Sequence, residues 1–167
     1  RRQRQMCIRD RVIGIAQPIK STESIWKRAL ELENVFHEKI YTIEQSDVFD
    51  ILSNRIKDTL GSGSIFADGQ LKSYMRTPIN YYVAQVLSSQ GYPSVVMGTG
   101  NYDEDGYLYY FCKAGDGVVD VQIISDLHKS EVFTVGREIK IPENILRAKP
   151  SADLWEGQTD EEEMGLS

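Results

Sequence analysis

Four short β-rich runs, the first three separated by segments of helical period, constrain this chain more than any other feature. "RVIGIAQP" ends at Pro18, "KIYTI" is β-branched and aromatic, and "PSVVMG" and "VVDVQII" are apolar on successive positions. Between the first two lies "KSTESIWKRALELENVF", where Ile25, Ala29, Leu32 and Phe36 share one helical face and Ser21 or Thr22 is the N-cap. "VFDILSNRIKDTL" places Val48, Ile51, Leu52 and Ile56 on one side of a second helix, and "GSGSIFADGQ" is a flexible loop. "TPINYYVAQVLSSQG" starts a third helix with Thr77 as cap and Pro78 at the first helical position. A further helix follows from His128, and "PENIL" is a short one with Pro142 at its start. Strands that alternate with helices predict an α/β fold, a Rossmann-like parallel sheet with helices on both faces. Its strands are expected at 12–16, 39–43, 94–97 and 119–124, the third buried on both faces. Ligands of such sheets bind beyond the carboxyl ends of the strands, here after Ala16, Met97 and Ile124.

Length and composition fit one such domain: 167 residues, 41% of them hydrophobic and 26% charged. No apolar run reaches the roughly 20 residues of a membrane span. Cys7 and Cys112 make neither a disulfide framework nor a metal set, so a reducing, cytoplasmic setting is expected. The opening "RRQRQMCIRDR" carries Arg1, Arg2, Arg4, Arg9 and Arg11 against Asp10 alone. Residues 1–11 read as a non-native segment, of the kind left by sequencing-adapter read-through, and residues 12–167 as the domain proper. Without the segment the chain holds 14 basic and 24 acidic residues, a net charge of −10. Such a body excludes nucleic acid and anionic membrane as partners. Phosphate would have to be held by a few placed lysines and backbone N–H groups.

The unusual residues sit where the topology puts ligands. After the third strand comes "GTGNYDEDGYLYYFCKAGDG". Gly98 and Gly100 permit close backbone approach and Thr99 offers a hydroxyl. One carboxylate among Asp103, Glu104 and Asp105 could hold Mg²⁺ together with substrate phosphates, although acidic loops are commonly just solvated. After the fourth strand comes "SDLHKSEV", with Lys129 at a helix start. The helix dipole disfavours a cation there, which points to an anion between the lysine and the helix end; the competing reading is a surface lysine. His128 has no Ser or Cys partner and reads as structural, and Tyr107, Tyr109 and Tyr110 read as core or interface. The closing "KPSADLWEGQTDEEEMG" is either a fraying polar tail or a loop that closes over a phosphate-rich ligand.

Taken together, "GTGNYDED", "KAGDG", "DLHKSEV", "KIPENIL" and "PSADLWEGQTDEEEMG" resemble the NAD synthetase family, from near Val12 to the end of the chain. The last block is the most specific. The resemblance implies a ligase that forms NAD from deamido-NAD, ATP and ammonia through an adenylated intermediate, with Mg²⁺. It implies that Thr99, Lys129 and Ser151 contact ATP, that Lys129 is catalytic, and that Glu104 holds Mg²⁺. Arg76, Lys113 and Asp120 would contact deamido-NAD, and the closing stretch would be the family's mobile loop over the nucleotide. Family members are homodimers, and the helix carrying Tyr81, Tyr82, Val83 and Val86 is the candidate contact. The alternatives are another ATP-pyrophosphatase-type amide ligase and a non-catalytic nucleotide-binding or dimerisation fragment. Ammonia as such, or released from glutamine by a glutaminase domain or partner, remains open.

Four departures from the family pattern stand out. In "GQLKSYMRTP", Gln70 takes the place of an Asn and Tyr74 that of the first of two arginines, the one credited with a deamido-NAD contact, while Arg76 matches the second. One extra residue lies between Glu104 and Lys113. Glu156 replaces a frequent Pro. The family's pyrophosphate loop, Ser-Gly-Gly-x-Asp-Ser, has no counterpart, nor has its C-terminal end. The chain is therefore expected to be an internal fragment, inactive by itself.

Overall fold

The computed structural model describes residues 12–165 other than Glu156. The Arg-rich opening lies outside the described residues. Strand β1 (Gly14–Ala16) runs into α1 (Glu23–Phe36) and returns as β2 (Ile40–Thr42), paired in parallel with β1 in the register Gly14↔Ile40, Ile15↔Tyr41, Ala16↔Thr42. Helix α2 (Ser46–Leu60) and helix α3 (Ile65–Ser89) follow. Strand β3 (Met97–Gly98) then pairs in parallel with β4 (Val121–Gln122), Met97 opposite Val121 and Gly98 opposite Gln122. Helices α4 (Lys129–Glu138), α5 (Glu143–Leu146) and α6 (Asp160–Met164) complete the order. Among the described residues the strands form two separate pairs, β1–β2 and β3–β4. Strands β1, β2 and β4 lie inside their expected ranges and β3 overlaps its own only at Met97; every pairing is parallel, in two pairs where one sheet is expected.

Helix α3 departs from the sequence reading. It is one helix from Ile65, capped by the Ser64 side chain, which accepts from Ala67 N at 3.2 Å. Six of the ten residues of the expected loop are thus helical, and Pro78 lies in the interior instead of the first turn. A proline there leaves the Tyr74 carbonyl without its helical donor. Thr77, expected as a cap, instead donates its hydroxyl to the carbonyls of Ala114 and Gly115, both at 2.8 Å. That contact ties the helix to the turn before β4, and tertiary bonding of this kind carries the chain across the proline.

Burial also differs from the periodicity. Ile19, Phe49 and Met75 form the central cluster, with Leu71 packed against it. Each such side chain contributes about 1.5–3 kcal/mol by leaving water. Helix α2 therefore turns its Phe49–Ser53 stripe inward, while Val48, Ile51, Leu52 and Ile56 are exposed. Around β3 only Val96 and Gly98 are buried; Val95 and Met97 are exposed, so this strand is not covered on both faces. Phe36, placed on the inner face of α1, is exposed as well. Apolar period identifies a face that can be buried, and the partner available in space decides whether it is.

Candidate active site

The site grows from the carboxyl end of β3. Gly98 and Gly100 are dictated by close packing: a side chain at Gly98 would run into Gln122, and one at Gly100 into the Asp105 carboxylate. Asn101 follows, only 2% exposed. Its Oδ1 accepts from Asp103 N and Glu104 N, both at 3.1 Å, and its Nδ2 donates to Glu104 Oε2 at 2.5 Å. One buried amide thus starts a turn and orients an acid within it. The turn is π-helical, Tyr102–Leu108, closed by Tyr109 with its N–H on the Glu104 carbonyl and φ of 53°. A wide turn of this type takes up one residue more than an α-turn, which gives the extra residue between Glu104 and Lys113 a place.

Helix α4 meets this turn at its N-terminus. Asp103 Oδ2 accepts from Lys129 N at 2.8 Å and Oδ1 pairs with His128 Nδ1 at 2.7 Å. Glu131 reaches back to His128 N at 2.8 Å. The anion called for at this helix start is therefore the chain's own Asp103. The Lys129 N–H and then the His128 ring hold the Asp103 carboxyl below the usual carboxylate range, and Asp103 raises the His128 imidazole in return. The Lys129 ammonium, freed from the dipole, pairs with Glu104 Oε1. Two residues singled out from separate motifs, Glu104 and Lys129, are thereby brought into direct contact.

The closing segment is a folded loop. Asp153, only 9% exposed and at φ 53°, accepts from Thr22 N at 3.1 Å and from Thr22 Oγ1 at 3.2 Å. Lys72, buried in α3, donates to the Leu154 carbonyl at 2.6 Å and lies over the Phe49 ring. Gly69 leaves room for Leu154 and Trp155. Gln158 Oε1 accepts from Leu154 N at 2.9 Å. Asp160 N donates to the Pro150 carbonyl at 3.1 Å, bringing the two ends of the loop together. Burial and then Glu104 raise the Asp160 carboxyl, against the opposing pull of Lys129, and the Tyr110–Glu163 hydrogen bond brings the helix that Asp160 starts to the turn carrying Glu104. Its Oδ1 is buried without a hydrogen-bond partner among the described residues. Ser151 lies in the same loop, its Oγ accepting from Asp153 N at 3.1 Å.

The other candidates stand apart. Thr99 is exposed beside Gly98, with no hydrogen bond from its hydroxyl among the described residues. Lys113 is exposed on the 112–117 turn. Asp120 precedes β4, at the opposite strand end from Glu104; its Oδ2 accepts from Val96 N at 2.7 Å and Oδ1 from Tyr81 OH at 3.4 Å. The Arg76 guanidinium makes no hydrogen bond or ion pair among the described residues; burial lowers its pKa, against Asp153 and then Asp116. The structure thus joins Glu104 with Lys129 and faces them with the Asp160 loop, and leaves Lys113 and Asp120 elsewhere on the β3–β4 unit. Sequence reasoning singled out none of Asn101, Gln158 and Asp160, weighed Asp103 as a possible Mg²⁺ ligand instead of a cap, and read Tyr110 as core or interface. An Asn just before a run of acids is a recognisable cap signal; nothing local marks Tyr110 or Gln158.

Comparison with known proteins bears on this arrangement. The family model described as NAD synthase matches residues 4–167. The NH(3)-dependent NAD(+) synthetase of Methanococcoides burtonii is 38% identical over 159 residues, covering 95% of this chain and 58% of that protein. The protein of the same description from Archaeoglobus fulgidus is 43% identical over 125 residues, 75% of this chain and 47% of its own length. The solved structure of NMN synthetase from Francisella tularensis superposes with a TM-score of 0.81 at 32% identity, over 94% of this chain and 63% of that one. This chain thus spans about half of the curated relatives it matches. With the family model matched along nearly all of its length, the chain belongs to the NAD synthase family.

Proposed function

We propose that this chain is part of a ligase that forms NAD from deamido-NAD, ATP and ammonia. The observation that carries the reading is the Lys129–Glu104 pair beyond the carboxyl ends of β3 and β4, faced by the loop that bears Ser151 and Asp160. In the proposed reaction a nicotinate carboxylate oxygen attacks the α-phosphorus of ATP. The bond to the β-phosphate breaks, giving an adenylate and pyrophosphate. Ammonia then attacks the activated carbonyl and AMP leaves. No protein nucleophile is required, and the chain contributes position and charge. The Lys129 ammonium exchanges Glu104 for phosphate oxygens and offsets charge on the leaving pyrophosphate. The hydroxyls of Thr99 and Ser151 donate to ATP; Ser151 accepts from Asp153 N, which leaves its own proton available. Arg76, Lys113 and Asp120 serve deamido-NAD, Asp120 through Oδ1, whose 3.4 Å bond from Tyr81 is its weaker one.

Glu104 and the unpartnered Oδ1 of Asp160 fit a magnesium ion, which takes one or two carboxylates alongside substrate phosphates and water. Among the described residues no group of three or more acidic, His or Cys side chains could hold a metal. Bound there, magnesium would neutralise triphosphate charge. No helix among the described residues is long and apolar enough to cross a membrane. We place the protein in the cytoplasm, as a homodimer that takes ammonia as such or from a glutaminase.

A second reading keeps the chemistry and shortens the substrate to nicotinate mononucleotide. It is favoured by the likeness to the Francisella tularensis NMN synthetase and by Tyr74, which stands where the family resemblance places an arginine on deamido-NAD. The test is product analysis of the full-length protein with ATP, ammonia and each acid in turn. ATP-dependent NAD formation with a higher kcat/KM for deamido-NAD supports the first reading, and a preference for the mononucleotide selects the second. No amide from either substrate removes the ligase assignment.

A further inference from the structure

Tyr110 is bound at both ends. Its backbone N–H donates to the Glu104 carbonyl at 2.8 Å, and its hydroxyl donates to Glu163 Oε2 at 2.9 Å across 53 residues. The same carboxylate oxygen accepts from Gln158 Nε2 at 2.7 Å, and Gln158, only 7% exposed, holds Leu154 N with its other end. The result is a continuous chain of hydrogen bonds from Glu104 to Tyr110, Glu163, Gln158 and the Leu154 backbone. The remaining anchors of the loop, Thr22 on Asp153 and Lys72 on Leu154, hold its first half. Among the described residues the Tyr110–Glu163 hydrogen bond fastens the second half to the turn that carries Glu104. Helix α6 is five residues long, too short to be stable unaided, so its position depends on such a fastening.

We propose that Tyr110, Glu163 and Gln158 form a latch that holds the 154–165 segment against the Glu104–Lys129 pair, and that they are positioning residues for the nucleotide step. The inference rests on the ligase reading and adds to it a means by which closure of the loop is sensed at Glu104. Two donors converge on one carboxylate oxygen, and a hydrogen bond to an ionised acceptor is about twice as strong as a neutral one. The phenol is suited to this: burial and then Glu163 raise its pKa, so it remains a donor through the physiological range. Opening would require the carboxylate to move into water, where it is readily solvated. The latch is thus firm enough to bias the loop and weak enough to release it in each turnover.

The experiment is hydrogen–deuterium exchange on the full-length protein and its Tyr110→Phe, Glu163→Ala and Glu163→Gln variants. Tyr110→Phe and Glu163→Ala are expected to speed exchange of amides in 154–165 on the order of tenfold, with the α3 core unchanged. Glu163→Gln keeps an acceptor oxygen and should restore most of the protection. The double variant Tyr110→Phe/Glu163→Ala should exchange no faster than Glu163→Ala alone, which already loses both bonds to the carboxylate. Steady-state kinetics should show a roughly tenfold rise in KM for ATP with little change in kcat. Unchanged loop exchange in both single variants overturns the latch, as does additive behaviour of the pair. Exchange reads the latch even where no amide product forms, so its failure and that of the ligase reading are separable. Should Tyr110→Phe lose α3 protection as well, the Glu163→Ala and Glu163→Gln comparison decides.

Discussion

Replacing Asp153 tests how the closing loop is seated. Its carboxylate accepts two hydrogen bonds from Thr22, one from the backbone N–H and one from the hydroxyl, at the start of α1 and 131 residues away in sequence. The residue is 9% exposed and its φ is 53°, a conformation that Asp tolerates better than Ala and that Gly adopts without strain. Losing a buried ionised acceptor costs about 1.5–3 kcal/mol. Placing Ala in the left-handed region adds roughly 1 kcal/mol. Asp153→Ala should therefore destabilise the protein by about 3 kcal/mol, and Asp153→Gly by about 2 kcal/mol, since it loses the same bonds without the strain. Asp153→Asn retains an acceptor and should cost about 1 kcal/mol. Urea unfolding of the full-length protein, followed by the fluorescence of Trp155 and Trp26, reads the series. An Ala variant at least as stable as the Gly variant would refute the strain argument. Losses below about 0.5 kcal/mol in both would refute the seating itself.

Three further outcomes are expected. If the proposed ligase reading holds, in the full-length protein Lys129→Ala should cost about 10²–10³-fold in turnover, Glu104→Gln should raise the magnesium requirement, and Lys113→Ala should raise the KM for deamido-NAD; parental kinetics in all three would remove the proposed roles. The contact of His128 with Asp103 raises the imidazole pKa, so its contribution is fully present below the ordinary value near 6.5 and is lost as pH rises through the folded one. The depressed Asp103 carboxyl acts in the other direction, contributing above its ordinary 3.8 and failing as pH falls through its folded value. Protection of the 129–131 amides, relative to their intrinsic exchange, should thus fall as pH rises through the raised imidazole value, and His128→Asn should flatten that fall. Gly69→Ala should gain about 1 kcal/mol of helix propensity and lose it again to the Leu154 and Trp155 contacts at 3.1 Å. Its signature is faster exchange in 153–158 at nearly unchanged Tm.

Much of this protein is legible from the chain alone because the signals are local. The β-branched runs locate four strands, three inside their expected ranges and the third overlapping its own at Met97, since strand propensity and helical period are properties of neighbouring residues. The helix after His128 and the short one after Pro142 follow from start signals that act within one turn. The motifs around Glu104, Lys129 and Ser151 are likewise contiguous, so the family is visible before any fold. Which partner each group takes is decided only in three dimensions. Pro78 breaks a helix by local rules, yet α3 runs through it while Thr77 bonds to a turn 37 and 38 residues away. The acids of "NYDED" are interchangeable in sequence; Asp103 caps α4, Glu104 meets Lys129, and Asp105 meets Gln122 because Asn101 sets a π-helical turn at the strand end. Tyr110 and Glu163 meet only when the loop has folded back. Such contacts join groups far apart in sequence, and no periodicity records them, because their energy depends on a geometry that exists only once the elements between them are in place.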